Sequence, residues 1–411
     1  MLTADQIKST LANLKQLTFE ITDACNLKCK YCGYGEFYND YDKREDKNLP
    51  FEKAVAIIDY LAELWGSEFN MSANKSVYIG FYGGEPLLNF KFIERVVDYI
   101  KQKKVLNRTF IFSMTTNAIL LDKHMDFIVY NKFSLLISLD GNKEHHGYRV
   151  DKAGNNSFDR VMKNIHLLKQ KFPKYFDENV NFNAVLHNKN SYEAIFHFIK
   201  DELGKIPNIS ELNNMGIRED MRNEFKKTYQ NKQESLMQSE HYDQIQKEMF
   251  IMSSSYQNVA TFLMKYSNNF FQDYNELLYG NRTSMEPSTG TCSPFSKKMF
   301  ITVNGKILPC ERIGQQFFMG EILDNNEIWL DLEQIAVKHN AYLGKIRHQC
   351  MSCKIQRSCI QCVYNLQNLD GNPVCYGHTD PKEFEHYVQS NMVFLNKHPE
   401  DYFKILEEVI I

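Results

Sequence analysis

Short hydrophobic runs alternate with segments of helical period through the first half of the chain. Residues 17–21 read as a buried strand, and 51–64 repeat apolar positions at the spacing of one helix face. The pair then recurs. Residues 76–82 precede a helix near 90–101, 109–115 one near 122–131, and 133–139 one near 158–171. Residues 180–186 and 191–203 make a fifth pair, and 209–216 read as a sixth strand. About six strand–helix units in series predict an α/β fold with a parallel sheet and right-handed crossovers, either a partial barrel or a doubly wound sheet.

Polar residues gather where these strands end. A cysteine-bearing loop follows the first strand, Gly83-Gly84-Glu85-Pro86 the second, and Thr116-Asn117 the third, while Ser138 and Asp140 close the fourth. Parallel sheets place their active sites at this carboxyl edge. From about Arg218 the texture becomes polar and helix-favouring, with interspersed Tyr, Phe and Met, and residues 381–411 read as one or two amphipathic helices. Three domains follow: 1–217, a linking or substrate-facing helical insertion over 218–285, and 286–411.

Composition narrows the function classes. A hydrophobic share of 43% in 411 residues supports large packed cores, and a net charge of -3 gives no field for recruiting nucleic acid. No stretch approaches the ~20 apolar residues that span a bilayer, and the opening MLTADQIKST lacks the apolar core of a secretory signal. A cytoplasmic protein without nucleic-acid or membrane partners is expected.

All ten cysteines fall in two groups, Cys25, Cys29 and Cys32, then Cys292, Cys310, Cys350, Cys353, Cys359, Cys362 and Cys375. In a compartment that keeps thiols reduced, such clusters point to metal rather than disulfides. The segment CNLKCKYC has the spacing to ligate three irons of a cubane and leave the fourth iron open to a small chelating molecule. A zinc site is the alternative, although no fourth Cys or His is local.

This loop, placed after the first strand, resembles the signature of the radical S-adenosylmethionine superfamily. Tyr31 sits where the family places an aromatic residue against the adenine. Gly83, Gly84 and Glu85 resemble the segment that meets the methionine ammonium, with glycines because a side chain would block close backbone approach. Thr116, Asn117 and Ser138 resemble further cofactor-contacting strand ends, and Arg149 fits a carboxylate-binding arginine. The resemblance covers about the first half of the chain. It implies a partial (β/α)6 TIM-like barrel, a [4Fe–4S] cluster on Cys25, Cys29 and Cys32, and reductive cleavage of S-adenosylmethionine to a 5′-deoxyadenosyl radical. That radical abstracts hydrogen from an unactivated carbon.

The later run CMSCKIQRSCIQC, with Cys292 and Cys310 before it and Cys375 after it, resembles the small, loop-rich SPASM domain of peptide-modifying radical enzymes. The pattern holds through Gly305, Cys350, Cys353 and Cys359, and Cys359-x2-Cys362 is one residue short. By analogy Cys350, Cys353, Cys359 and Cys375 hold one auxiliary [4Fe–4S] cluster and Cys292, Cys310 and Cys362 another, three clusters in all. A pair of structural zinc sites is the alternative reading. Glu311 follows Cys310 at the position of an aspartate that is the proposed base of anaerobic sulfatase-maturing enzymes. It is the candidate catalytic base.

The expected function is maturation of a ribosomally made precursor peptide, by a cross-link such as a thioether, epimerisation or oxidation. The expected partners are that peptide and a reductant such as flavodoxin or ferredoxin. With few residues before the first strand, leader recognition falls to a separate binding protein or to the insertion. Formylglycine formation on a sulfatase is the second enzyme reading; an iron–sulfur electron carrier or structural zinc protein is the non-enzyme one.

Overall fold

The computed structural model of the chain describes residues 1–71, 75–103, 105, 108–249, 254–267, 278 and 293–410. Six strands, β1 (Gln16–Thr22), β2 (Lys75–Gly83), β3 (Arg108–Thr116), β4 (Ser134–Ser138), β5 (Val180–Val185) and β6 (Asn208–Ser210), lie side by side in chain order, each parallel to its neighbour. Helices intervene, as the alternating pattern predicts. Among the described residues the sheet does not close into a ring, as in a partial α/β barrel.

The helix Phe51–Trp65 shows how the pattern is realised. Ala54, Ile57, Ile58, Leu61, Leu64 and Trp65 recur every three or four residues and are buried. β1 is buried on both faces, with six of its seven residues inside, whereas β5 alternates buried positions with more exposed ones. Phe133 stacks on both Phe81 and Phe112, with ring centroids 5.8 and 5.5 Å away, which ties β2, β3 and the approach to β4 together.

Four further strands were not evident from the hydrophobic pattern: β7 (Lys298–Ile301), β8 (Lys306–Leu308), β9 (Gly320–Ile322) and β10 (Ile328–Trp329). β7 pairs parallel with β1, from Gln16 opposite Lys298 to Phe19 opposite Ile301, and β8, β9 and β10 follow as an antiparallel meander. Lys53, buried on its helix, donates to the Ile322 carbonyl at 2.8 Å and so fastens this meander to the barrel.

The chain divides into two compact units. One comprises Thr3–Tyr242 with Pro294–Ile335; the other comprises Met1–Leu2, Asp243–Ser293 and Ala336–Ile411. Within the second unit the helices Ser254–Tyr266, Pro381–Lys397 and Pro399–Ile410 share an apolar cluster that includes Val259, Phe262, Leu263 and Ile405. Among the described residues, no helix is long and apolar enough to cross a membrane.

Candidate active site and cysteine clusters

The carboxyl ends of the strands open into a cavity of about 580 Å³. Cys25, Cys29, Cys32 and Tyr31 line it from the loop after β1, Gly83, Gly84 and Glu85 from the end of β2, Thr116 and Asn117 from β3, and Ser138 from β4. Arg149 and Glu311 line it as well. Every site residue singled out in the first half of the sequence therefore faces one space.

The two glycines hold the cysteine loop in place. Gly84 N–H donates to the Thr22 carbonyl at 2.8 Å and Glu85 N–H to the Ala24 carbonyl at 2.9 Å. A Cβ on Gly84 would fall 2.0 Å from the Ala24 carbonyl oxygen, and one on Gly83, whose φ is +135°, 2.1 Å from that of Thr22. No side chain fits such an approach.

Glu85 braces the next strand. Its carboxylate accepts from Thr116 Oγ1 at 2.6 Å, from Asn117 N–H at 2.7 Å and from Leu87 N–H at 3.1 Å, and the residue is 1% exposed. Burial pushes its carboxyl up from 4.5 to about 7, against three hydrogen bonds that favour the anion. The folded chain thus keeps a proton that the unfolded chain releases near pH 4.5. The associated stability is complete below about pH 4.5 and lost by about pH 7, on the order of 3 kcal/mol. Between pH 5 and 8 the unfolding midpoint of the wild type should fall more than that of Glu85→Gln. Parallel curves would mean that Glu85 is ionised throughout.

Tyr31 is held from two sides. Its hydroxyl donates to Asp140 Oδ2, and its ring stacks on His187 with centroids 5.5 Å apart. Asp140 in turn takes a two-point ion pair from Arg149, Nε to Oδ2 at 2.9 Å and a terminal nitrogen to Oδ1 at 3.2 Å, and accepts from Val185 N–H at 3.0 Å. Burial opposes ionisation of Asp140, but the Arg149 guanidinium outweighs it and holds the carboxyl well below the usual range. The carboxylate that Arg149 engages is therefore one of the chain's own.

Other residues here carried no sequence signal. Arg44 sits 4.2 Å over the Tyr34 ring with a terminal nitrogen 3.7 Å from Cys32 Sγ, and its Nε is buried without a hydrogen-bond partner. The Tyr34 hydroxyl donates to the buried Glu20 of β1. No local spacing marks such contacts, which arise only once the loop folds back over β1.

Glu311 reaches the cavity because β7 docks on β1. Lys298, at the start of β7, clamps both carboxylate oxygens at 3.1 and 2.9 Å. Burial raises the Glu311 carboxyl, and the adjacent Lys298 ammonium more than offsets this, leaving it below its ordinary value and ionised. Cys310 Sγ lies 3.6 Å from Glu311 Oε2.

In the second unit Cys350, Cys353, Cys359 and Cys375 line one small cavity. Cys350 is delivered by the end of the helix Leu332–Ser352. The preceding Gln349 accepts from Cys375 N–H at 2.9 Å and donates to the Pro373 carbonyl at 2.8 Å, which draws the last cysteine toward the others. Cys362 does not line that cavity, Cys310 belongs to the first unit, and Cys292 lies outside the described residues.

Three cysteine sulfurs from one loop, all lining the strand-end cavity, fit the protein ligands of an iron–sulfur cluster with one open iron. Burial pushes the Cys25 thiol up to about 11, against the Leu27 N–H, and the Cys29 thiol up to about 12, against Arg149. Such sulfurs ionise only when a metal takes the proton's place.

The profile of the Radical SAM superfamily matches residues 19–201. The radical SAM cyclopropyl synthase TigE of Paramaledivibacter caminithermalis is 28% identical over 225 residues, 53% of this chain and 43% of that protein. A cysteine-type anaerobic sulfatase-maturating enzyme of Clostridium novyi is 30% identical over 196 residues, 47% of this chain and 49% of that one. The match thus spans less than half of either relative. The solved structure of native anSMEcpe with bound AdoMet and the Kp18Cys peptide shares the fold at a TM-score of 0.61 and 17% identity, covering 95% of this chain and 99% of that one.

Proposed function

The chain belongs to the radical SAM superfamily, and from that premise we propose that it is a maturase acting on a ribosomally made peptide. The observation that carries this reading is Glu311, a carboxylate from the later cysteine segment that lines the same cavity as Cys25, Cys29 and Cys32. A small cofactor needs no such base from a distant segment; a second substrate bound beside it does.

In this reading Cys25, Cys29 and Cys32 hold a [4Fe–4S] cluster, and Cys350, Cys353, Cys359 and Cys375 hold an auxiliary one. When bound, the first cluster supplies the electron that splits S-adenosylmethionine into methionine and a hydrogen-abstracting 5′-deoxyadenosyl radical. The chain's residues do the rest. The glycines and Glu85 fix the rim on which the methionine end rests, and Thr116, Asn117 and Ser138 supply polar contacts along it. Tyr31, immobilised by Asp140 and His187, offers a flat face for the adenine. Arg44 brings positive charge toward the cofactor carboxylate, while Arg149, paired with Asp140, packs over the Tyr31 ring and helps to hold it. Glu311, kept ionised by Lys298, accepts a proton from the substrate side chain.

Glu311→Gln tests the assignment, because the amide keeps the shape and loses the basicity. The variant should retain its iron and still cleave S-adenosylmethionine. Modified peptide per 5′-deoxyadenosine should fall by roughly 10²–10⁴-fold, the range typical of a lost general base. An unchanged ratio and rate would leave proton removal to another group.

Formylglycine formation is a second reading, supported by the likeness to the Clostridium novyi enzyme. Incubating the reduced protein separately with a short peptide encoded beside its gene and with a sulfatase-derived Cys or Ser peptide, followed by mass spectrometry, distinguishes the two. The proposed electron source is a flavodoxin or ferredoxin, with a separate leader-binding protein or residues 218–285 presenting the peptide.

A further inference from the structure

A second cluster of ligating side chains lies apart from the strand-end cavity. Glu193 and His197 are one turn apart on the helix Tyr192–Leu203, and His241 meets them from the segment after the helix Lys232–Met237. Glu193 Oε1, His197 Nε2 and His241 Nδ1 all lie within 4.8 Å of one another. His241 Nδ1 is 2.6 Å from Glu193 Oε1, and His197 Nε2 is 3.7 Å from the same oxygen.

The arrangement is built rather than incidental. Glu193 is fixed by Glu240 N–H to Oε2 at 3.0 Å and His241 N–H to Oε1 at 3.1 Å. The arriving segment is tied to the same helix by Tyr192 N–H donating to Ser235 Oγ at 3.1 Å and by the buried Leu236. The two imidazole rings stand nearly perpendicular, at 82° with centroids 5.4 Å apart. His197 Nε2 is buried yet has no hydrogen-bond partner, an arrangement that costs free energy unless something else satisfies the atom.

We propose that Glu193, His197 and His241 form a binding site for one divalent transition-metal ion, zinc foremost. Two imidazoles and a carboxylate are borderline donors that suit zinc and its neighbours, whereas magnesium and calcium take oxygen ligands. Tetrahedral ligands at about 2.0–2.1 Å from zinc stand roughly 3.4 Å apart, and the 2.6 and 3.7 Å separations bracket that value. Small side-chain rotations bring the three atoms onto one ion, which takes the place of the proton between His241 and Glu193. Water fills the fourth position. The ion would fasten the segment after residue 237 to the barrel helix.

The test uses the full-length protein with its iron clusters loaded, so that zinc uptake at the cysteines is common to all samples. Wild type, His241→Asn and His197→Asn are equilibrated with buffered zinc alone, and bound zinc is measured by plasma mass spectrometry. The wild type should hold one more zinc per chain than either variant, and its affinity should exceed theirs by at least about 100-fold, since losing only an outer-shell partner costs 10–100-fold. His241 is exposed, so its replacement leaves the fold intact even if the His197 variant proves poorly soluble. Zinc should also slow hydrogen exchange at the Glu240 and His241 amides in the wild type alone. Equal uptake by the wild type and His241→Asn would overturn the proposal.

Discussion

Replacing Cys25, Cys29 and Cys32 together with Ala should abolish 5′-deoxyadenosine formation, to less than about one thousandth of the parent rate. The reason is structural as well as chemical. All three sulfurs line the strand-end cavity, and in the proposed reading they hold the cluster that delivers the electron there. The four cysteines around the other cavity belong to a separate compact unit. Their iron should survive, so the variant should lose about four irons per chain and keep the rest. Electron paramagnetic resonance of the dithionite-reduced protein distinguishes the two sets. Undiminished 5′-deoxyadenosine production would remove these cysteines from the chemistry.

The second large effect is expected at Asp140. The residue is fully buried and satisfies Arg149, Tyr31 and Val185 N–H at once. Asp140→Asn leaves the Arg149 guanidinium buried without its counter-charge, which typically costs 3–5 kcal/mol. Tyr31 loses its acceptor two residues from Cys29, so cofactor cleavage should fall along with the denaturant midpoint. The double variant Asp140→Asn/Arg149→Met should cost less than the sum of the single changes, because the two groups act as one unit. A single variant within about 0.5 kcal/mol of the wild type would show the pair to be dispensable.

Much of this site is legible in the sequence because its parts are local. Cys25, Cys29 and Cys32 fall within one loop, and the glycines of the β2 end announce a close backbone approach that the Thr22 and Ala24 carbonyls then make concrete. The first five strands are likewise readable, since continuous apolar runs flanked by amphipathic helices have few other solutions. What was hidden is non-local. The strands β7 to β10 are two to four residues long, too short to carry a period. Only their pairing with β1 brings Glu311 into the cavity lined by the first cysteines. The partnership of Arg149 with Asp140 was also unreadable, because an arginine's target depends on which carboxylate the fold carries to it. Arg44, twelve residues beyond Cys32, gives no sign in its spacing that it returns to that sulfur.

The central claim, that this chain uses Cys25, Cys29 and Cys32 to cleave S-adenosylmethionine reductively, is tested most directly by one measurement. The protein is reconstituted anaerobically with iron and sulfide, reduced with dithionite and incubated with S-adenosylmethionine, and 5′-deoxyadenosine and methionine are quantified by mass spectrometry. The account predicts that both products form in equal amounts and accumulate with time in the wild type. A protein that carries its full iron complement yet forms neither product would contradict it.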